Sequence, residues 1–297
     1  MAADHTLLIS RIKPHTDFRA TIESGPAKMA VIGLGKQRGA LAMHEGGGEN
    51  FQRYLAPAAR IYEANTNLLG ALCVVENAFD ETAKMAVLAA SEIGAEPEAN
   101  LLVEAKAMLA SLPFPEIDVL IVRELGKDIS GTGMDTNVIG RLMIPRQPES
   151  FGNVDVAVIG VLDVTPASHG NATGIGLANL TTLRLAQKVD WPAMYTNGIT
   201  SGIFGMFRNS LPMTLPSDRQ LLEVAIRCCG RPPEQARIVL IQNTLQLGKI
   251  WVSPTLRSEV EAHPQLHLVD ANPLQFDTAG NMVSPWLMAA PFPPRDA

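Results

Sequence analysis

The chain has 297 residues, and its 46% hydrophobic and 18% charged content supplies a sizeable core and disfavours long disorder. A formal net charge of −6 argues against a nucleic-acid-binding surface. No apolar run approaches the roughly 18 residues of a membrane span, and three cysteines without disulfide or metal spacing suit a reducing, cytoplasmic setting.

Short apolar runs alternate with helical patterns along the chain, and this alternation predicts an α/β fold. Several runs are β-branched and apolar on both faces, as is typical of buried parallel strands. The predicted strands are 6–11, 29–34, 68–75, 117–123, 154–163, 193–197 and 237–243. The predicted helices are 50–66, 80–92, 97–110, 174–188, 217–229 and 254–262, two of which, 80–92 and 217–229, begin with good capping residues.

A proline-containing segment, 111–115, lies between a predicted helix and a new strand. Two prolines interrupt regular structure there and suit a connector between domains. We therefore expect two lobes, 1–112 and 113–297, with a cleft between them.

The segment 13–44 lacks both the alternation of a strand and the stripe of an amphipathic helix. It contains His15, Lys28 and His44, whose spacings of 13 and 16 residues allow them to meet only through folding. Histidine titrates near neutrality and ligates metals, and a buried lysine can serve as a covalent anchor. The open alternative is that both histidines are ordinary surface residues of a long loop.

The same segment also contains glycines and basic residues that could contact a bound group. Gly33 and Gly35 let the backbone approach a ligand closely. Lys36, within the basic cluster 36–38, could bind a small anion. These positions are therefore candidates for contacts to a bound group.

Two polar, Gly-rich loops directly follow predicted strands, where ligands bind in α/β sheets. The first, 124–137, contains Lys127 and Asp135, and its open alternative is a long turn with Asx caps. The second, 165–176, contains His169 and leads into a predicted helix. A carboxylate or phosphate could bind there, or His169 could merely cap a turn.

The motifs IKPHTDF, IGLGKQRGA, GKDISGTGMD and SHGNATGIG resemble, as a set, a divergent branch of the nickel-pincer-dependent lactate racemase family. Its members carry a Pro-His motif, then a Gly-rich segment with a lysine, then a histidine 16 residues after that lysine. Pro14-His15, Lys28 and Met43-His44 match this pattern. The resemblance covers most of residues 5–260 and implies two lobes with mixed or parallel sheets. Residues 1–112 would be the C-terminal part of the catalytic, cofactor-binding domain, and 113–297 a second α/β domain that closes the cleft.

The resemblance also implies an activity, the racemisation or epimerisation of a 2-hydroxy acid such as lactate or a sugar acid. Lys28 would tether the nickel-pincer nucleotide (nickel pyridinium-3,5-bisthiocarboxylic acid mononucleotide), His44 would ligate nickel, and His15 would act as acid and base on the substrate hydroxyl. Hydride would move from the substrate carbon to the cofactor and return to the other face. Further cofactor contacts would come from Gly33, Gly35, Lys36 and His169.

The substrate-binding loop of the family aligns best on Asp135, but its Gln and Lys positions fall near Gly140 and Met143. We expect Arg141 or Lys127 to bind the substrate carboxylate instead. The family also has catalytic residues before the Pro-His motif, so the resemblance leads us to expect that the N-terminal portion of that fold is missing here. Two alternatives stay open: a cofactor-free protein that binds small anions, and a truncated, catalytically incomplete homologue. We expect neither nucleic-acid nor membrane partners, and a homo-oligomer stays open.

Overall fold

The computed structural model describes residues 4–147, 149 and 152–283, which form the predicted mixed α/β fold. The strands are β1 Thr6–Arg11, β2 Leu68–Glu76, β3 Thr82–Ala89, β4 Glu116–Leu125, β5 Asp155–Val164, β6 Leu180–Thr182, β7 Met213–Leu215, β8 Ile238–Ile241, β9 Trp251–Val252, β10 Gln275–Phe276 and β11 Met282–Val283. The α-helices are α1 Pro26–Lys28, α2 Lys36–Glu45, α3 Gly47–Asn65, α4 Glu96–Ala107, α5 Thr136–Ile139, α6 Leu183–Lys188, α7 Trp191–Thr200, α8 Asp218–Cys228 and α9 Arg257–Ala262. A π-helical turn, Met29–Leu34, directly follows α1.

The larger sheet has six strands in the order β7-β6-β5-β4-β8-β9, and all of its pairs are parallel except β8 with β9. Its central strands β4 and β5 are buried over most of their length. Leu120 and Val122 pack into one hydrophobic cluster, and Val119 and Ile121 into another. This sheet is therefore covered on both faces, as expected for parallel strands in an α/β protein.

The smaller sheet has three strands in the order β1-β2-β3, with β1 parallel and β3 antiparallel to β2. One face packs Leu8, Ala71 and Leu88 into a core that includes side chains of α3 and α4. The opposite face carries the row Ile9, Leu72 and Val87, of which Ile9 is 66% and Val87 74% exposed. This sheet is therefore covered on one face only.

Four predicted elements differ from the structure, and for two of them local contacts give the physical reason. The predicted helix 80–92 is mostly β3, because its alternating residues pair antiparallel with β2 across a turn that the Asn77 side chain closes. The predicted strand 193–197 lies in α7, which Asp190 caps and Pro192 opens. The predicted strand 29–34 is the π-helical turn, and the predicted helix 174–188 is split into β6 and α6.

The proline segment 111–115 lies between α4 and β4, so the smaller sheet precedes it and the larger sheet follows it. The outer ends of the two predicted lobes, 1–3 and 284–297, lie outside the described residues. Within the described part of the chain, no helix is long and apolar enough to cross a membrane.

Candidate functional site

The side chains of His15 and Lys28 meet in the interior of the protein. His15 Nε2 lies 2.7 Å from Lys28 Nζ, and the histidine is only 8% exposed. His15 belongs to the segment between β1 and α1, and Lys28 is the last residue of α1, where the π-helical turn begins. Such turns recur at functional sites because they re-aim side chains. Folding thus brings together two of the three residues singled out in segment 13–44.

A buried carboxylate, Glu23, holds the backbone that carries His15. It is fully buried and accepts the His15 backbone N–H at 2.7 Å and the Ala20 N–H at 3.1 Å. Its charge is paired with Lys106 of α4, whose Nζ lies 2.6 Å away. Since a buried carboxylate must be paired and hydrogen-bonded, this arrangement fixes the loop in one conformation.

The hydrogen-bond network assigns the protonation pattern of the His15 ring. The Asp17 backbone N–H donates to Nδ1 over 3.1 Å, so the neutral ring carries its proton on Nε2. Nε2 faces Lys28 Nζ, and only an uncharged amine has a lone pair to accept that proton. The geometry therefore matches a neutral imidazole beside a neutral lysine amine.

The electrostatics agree with the neutral imidazole of His15, whereas the neutral amine of Lys28 is the minor form at pH 7. Burial, and then the charge of Lys28, lower the pKa of His15 to about 3. Burial also lowers the pKa of Lys28 to about 8, although the Asp17 carboxylate opposes that shift. About a tenth of Lys28 is then the free amine at pH 7, far more than for an ordinary surface lysine.

A buried ion pair, Asp17 with Arg208, stands beside His15 and was missed in the sequence. Arg208 Nη1 bonds to Asp17 Oδ1, while its Nε and Nη2 donate to the Leu142 carbonyl at 2.8 and 2.6 Å. Burial raises the pKa of Asp17, but Arg208 outweighs it and keeps that pKa below its usual value. Arg208 lies 191 residues from Asp17 and belongs to no motif, so only the folded structure, in which it is 2% exposed, reveals its role.

Two predicted residues of the 124–137 loop adjoin this cluster. Asp135 caps α5 and accepts the Asn137 side-chain amide at 2.7 Å, and that amide also faces the His15 carbonyl at 3.4 Å. Burial lowers the pKa of Lys127, and the Asp17 carboxylate opposes the shift, so both groups lie within electrostatic range. Asp135 therefore holds the loop against His15, and Lys127 contributes positive charge to the same region.

The third predicted residue, His44, lies on α2 and shares an aromatic cluster with His15. Its ring meets Phe51 edge-on at 5.1 Å between centroids, and Phe18 stacks on both Phe51 and His15 at 4.7 and 4.4 Å. His44 Nδ1 lies 2.6 Å from the Ala40 carbonyl, to which it donates. This leaves the Nε2 lone pair as the atom that can bind a metal, the usual arrangement for a histidine ligand.

The predicted glycines and Lys36 lie around the π-helical turn. A Cβ on Gly35 would come within 2.0 Å of the Val31 carbonyl oxygen, so close helix packing alone requires glycine there. Gly33 lines an open groove of about 490 Å³, together with Lys28 and residues of β1. Lys36 is exposed at the start of α2 with a positive φ of 54°. Of these three, Gly33 is the one that shares a cavity with Lys28.

Two other predicted site residues, Arg141 and His169, are not hydrogen-bonded to the cluster of His15, Lys28 and Asp17 in the described part of the chain. Arg141 Nη1 donates to the Leu177 carbonyl at 3.0 Å and Nη2 to the Val156 carbonyl at 2.8 Å, so it ties β5 to a neighbouring loop. His169 is exposed and ends the short turn 166–168 with a φ of 47°. Among the described residues, no hydrogen bond joins either side chain to His15, Lys28 or Asp17.

No protein-family model matches the chain, and no curated protein or solved structure shows significant similarity to it. Among the described residues, no three His, Cys, Asp or Glu side chains are grouped to hold a metal ion. A metal at this site would therefore need ligand atoms from a bound group in addition to His44.

Proposed function

We propose that the protein is an isomerase that racemises or epimerises a 2-hydroxy acid, with a nickel-pincer nucleotide tethered to Lys28. The observation that carries the proposal is the partly buried 2.7 Å contact between Lys28 Nζ and His15 Nε2. It supplies an amine that can form a covalent bond and, next to it, an imidazole that can exchange a proton. Both chemistries are needed at one place for such a reaction.

The donor set of the site fits this cofactor. Lys28 offers a partly deprotonated amine for the covalent link, and His44 offers an Nε2 lone pair whose ring is oriented by the Ala40 carbonyl. Imidazole suits nickel, and a single histidine suffices when the bound group supplies the other ligand atoms. When bound, the cofactor would supply the metal and the hydride acceptor.

The protein's own groups would then handle protons and charge. His15 would accept the proton of the substrate hydroxyl and return it. A covalent bond at Lys28 removes the ammonium charge that lowers the pKa of His15, so the tethered protein has the stronger base. Lys127 would attract the substrate carboxylate. In this proposal the smaller and larger sheets belong to two lobes with the substrate in a cleft between them.

Mass spectrometry of the protein co-expressed with the enzymes that build the cofactor tests the proposal. We expect a covalent adduct on Lys28 and equimolar nickel in the wild type, and neither in Lys28→Arg. His44→Ala should keep the adduct but lose nickel. The matched control Lys84→Arg, an exposed lysine of β3, should keep both. Unmodified Lys28 under these conditions, or full racemase activity in Lys28→Ala, would contradict the proposal.

A second candidate function, cofactor-free binding of a small anion, is favoured by the concentration of positive charge at the site. Lys28, Lys127 and Arg208 all interact with the single carboxylate of Asp17. This candidate predicts that D- or L-lactate raises the melting temperature of protein whose Lys28 is unmodified. Loss of that increase in Lys127→Gln, with Lys28 still unmodified after co-expression, would favour it over the isomerase.

A further inference from the structure

Lys28 combines three properties that are rarely found together in a lysine. Its amine lies 2.7 Å from an imidazole that presents an N–H to it. Its side chain lines the open groove beside β1, together with Arg11 and Lys13, so small molecules can reach it. Backbone atoms of the α1 helix and the following π-helical turn hold it in place. These are the requirements for an amine that reacts with carbonyl compounds.

We propose that Lys28, when it carries no other adduct, condenses with a 2-oxo acid to form an imine. The Lys28 nitrogen forms a bond to the carbonyl carbon, and the carbonyl oxygen leaves as water with the two hydrogens that the amine loses. No electron acceptor or donor is needed, because the oxidation states balance. His15 Nε2–H is placed to hydrogen-bond to the departing hydroxyl and keeps its own proton, while solvent in the open groove relays the two amine protons to the leaving oxygen.

The carboxylate of the 2-oxo acid gives the site its preference among carbonyl compounds. Lys127 donates to the Gly131 carbonyl at 2.6 Å and keeps further N–H groups for a carboxylate. Lys127 and Lys28 both interact electrostatically with the Asp17 carboxylate, so a substrate anion at Lys28 is in reach of the same field. The inference uses the proposed function only for this choice of substrate, since a 2-oxo acid is the oxidised form of a 2-hydroxy acid.

Reductive trapping of the protein expressed without the cofactor-building enzymes tests the inference. The protein is treated with pyruvate and sodium cyanoborohydride at several pH values, and peptide mass spectrometry locates the reduced adduct. We expect Lys28 to be labelled about a hundredfold faster than the exposed Lys84 at pH 7, because far more of its amine is free. The labelling rate should rise with pH to a plateau above about 8.

Three comparisons make the outcome decisive. Acetone has no carboxylate and a less electrophilic carbonyl, so it should label every lysine more slowly than pyruvate. The preference for pyruvate should be larger at Lys28 than at Lys84, and Lys127→Gln should lower it to the Lys84 value. His15→Gln keeps an N–H near the position of Nε2 and should retain labelling, whereas His15→Leu should lose it; circular dichroism verifies that both are folded. Equal labelling of Lys28 and Lys84, or a preference for pyruvate over acetone no larger at Lys28 than at Lys84, would overturn the inference. Because no cofactor is present, this result is independent of whether Lys28 is also the cofactor tether.

Discussion

The two sheets differ in how completely they are covered. The six-stranded sheet is buried on both faces, and its central residue Leu120 has no exposed surface. The three-stranded sheet is buried on one face only, and Val87 on the other face is 74% exposed. The reactive side chains His15, Lys28 and His44 all belong to the part of the chain that contains the smaller sheet.

This difference shows how the site is divided between the two regions. His15 lies on an irregular segment, and Lys28 ends the three-residue helix α1 just before the π-helical turn, so regular packing alone would leave both poorly fixed. Groups from the part of the chain that contains the larger sheet hold that segment: Arg208 pairs with Asp17, and Thr136 donates to the Thr16 carbonyl at 2.6 Å. The larger region thus fixes the segment that carries His15, and Glu23, paired with Lys106, fixes the same segment within the smaller region.

The largest expected effect comes from removing the ion pair between Asp17 and Arg208, which joins the two regions. Arg208→Met leaves the Asp17 carboxylate nearly buried and unpaired, so we expect the free energy of unfolding to fall by about 3–5 kcal/mol. Urea titration followed by circular dichroism measures the change.

A double-mutant cycle controls for the packing of the arginine stem. The double variant Asp17→Asn with Arg208→Met should be destabilised by clearly less than the sum of the two single changes, because it leaves no unpaired charge. Strictly additive effects would show that the two side chains do not interact energetically.

A second test compares the covered and uncovered sheet surfaces directly. Leu120→Ala opens a cavity within a two-sided core and should lower the free energy of unfolding by about 2–5 kcal/mol. Val87→Thr, on the exposed face of β3, should change it by no more than about 0.5 kcal/mol. The same urea titration measures both. A large loss in Val87→Thr would mean that another surface covers this face in solution.

The third test concerns the titration of His15. Its folded pKa of about 3 lies below its ordinary value of 6.5, so between these values the unfolded chain binds more protons. The stability contributed by the neutral ring is complete above 6.5 and decreases as the pH falls toward 3, by up to about 1.4 kcal/mol per pH unit.

Urea titrations of variants at several pH values between about 4 and 8 isolate the contribution of His15 to stability. This range brackets the ordinary histidine pKa of about 6.5. His15→Gln cannot be protonated and should show a shallower pH dependence than the wild type. The matched control His267→Gln, at an exposed position, should keep the wild-type slope. An unchanged slope in His15→Gln would show that the buried ring is not the titrating group.

The sequence predicted those elements whose pattern is set locally. The strands β1, β2, β4, β5 and β8 and the helices α3, α4 and α8 agree with the prediction because an apolar run or a helical stripe is a local property of the sequence. Asp80 and its neighbours resemble a helix cap, so the local pattern predicts a helix where strand β3 forms. What makes β3 a strand is its pairing with β2, a contact that periodicity does not encode.

The composition of segment 13–44 by itself identified His15, Lys28 and His44 as an unusual group, because reactive side chains and glycines rarely concentrate without a reason. Only the tertiary structure decided how they relate. It placed His15 against Lys28, turned His44 toward the Ala40 carbonyl, and brought in Arg208 from 191 residues away. Residue type determines which chemistry is available, but distance, burial and hydrogen-bond direction set the protonation states, and these exist only once the chain has folded.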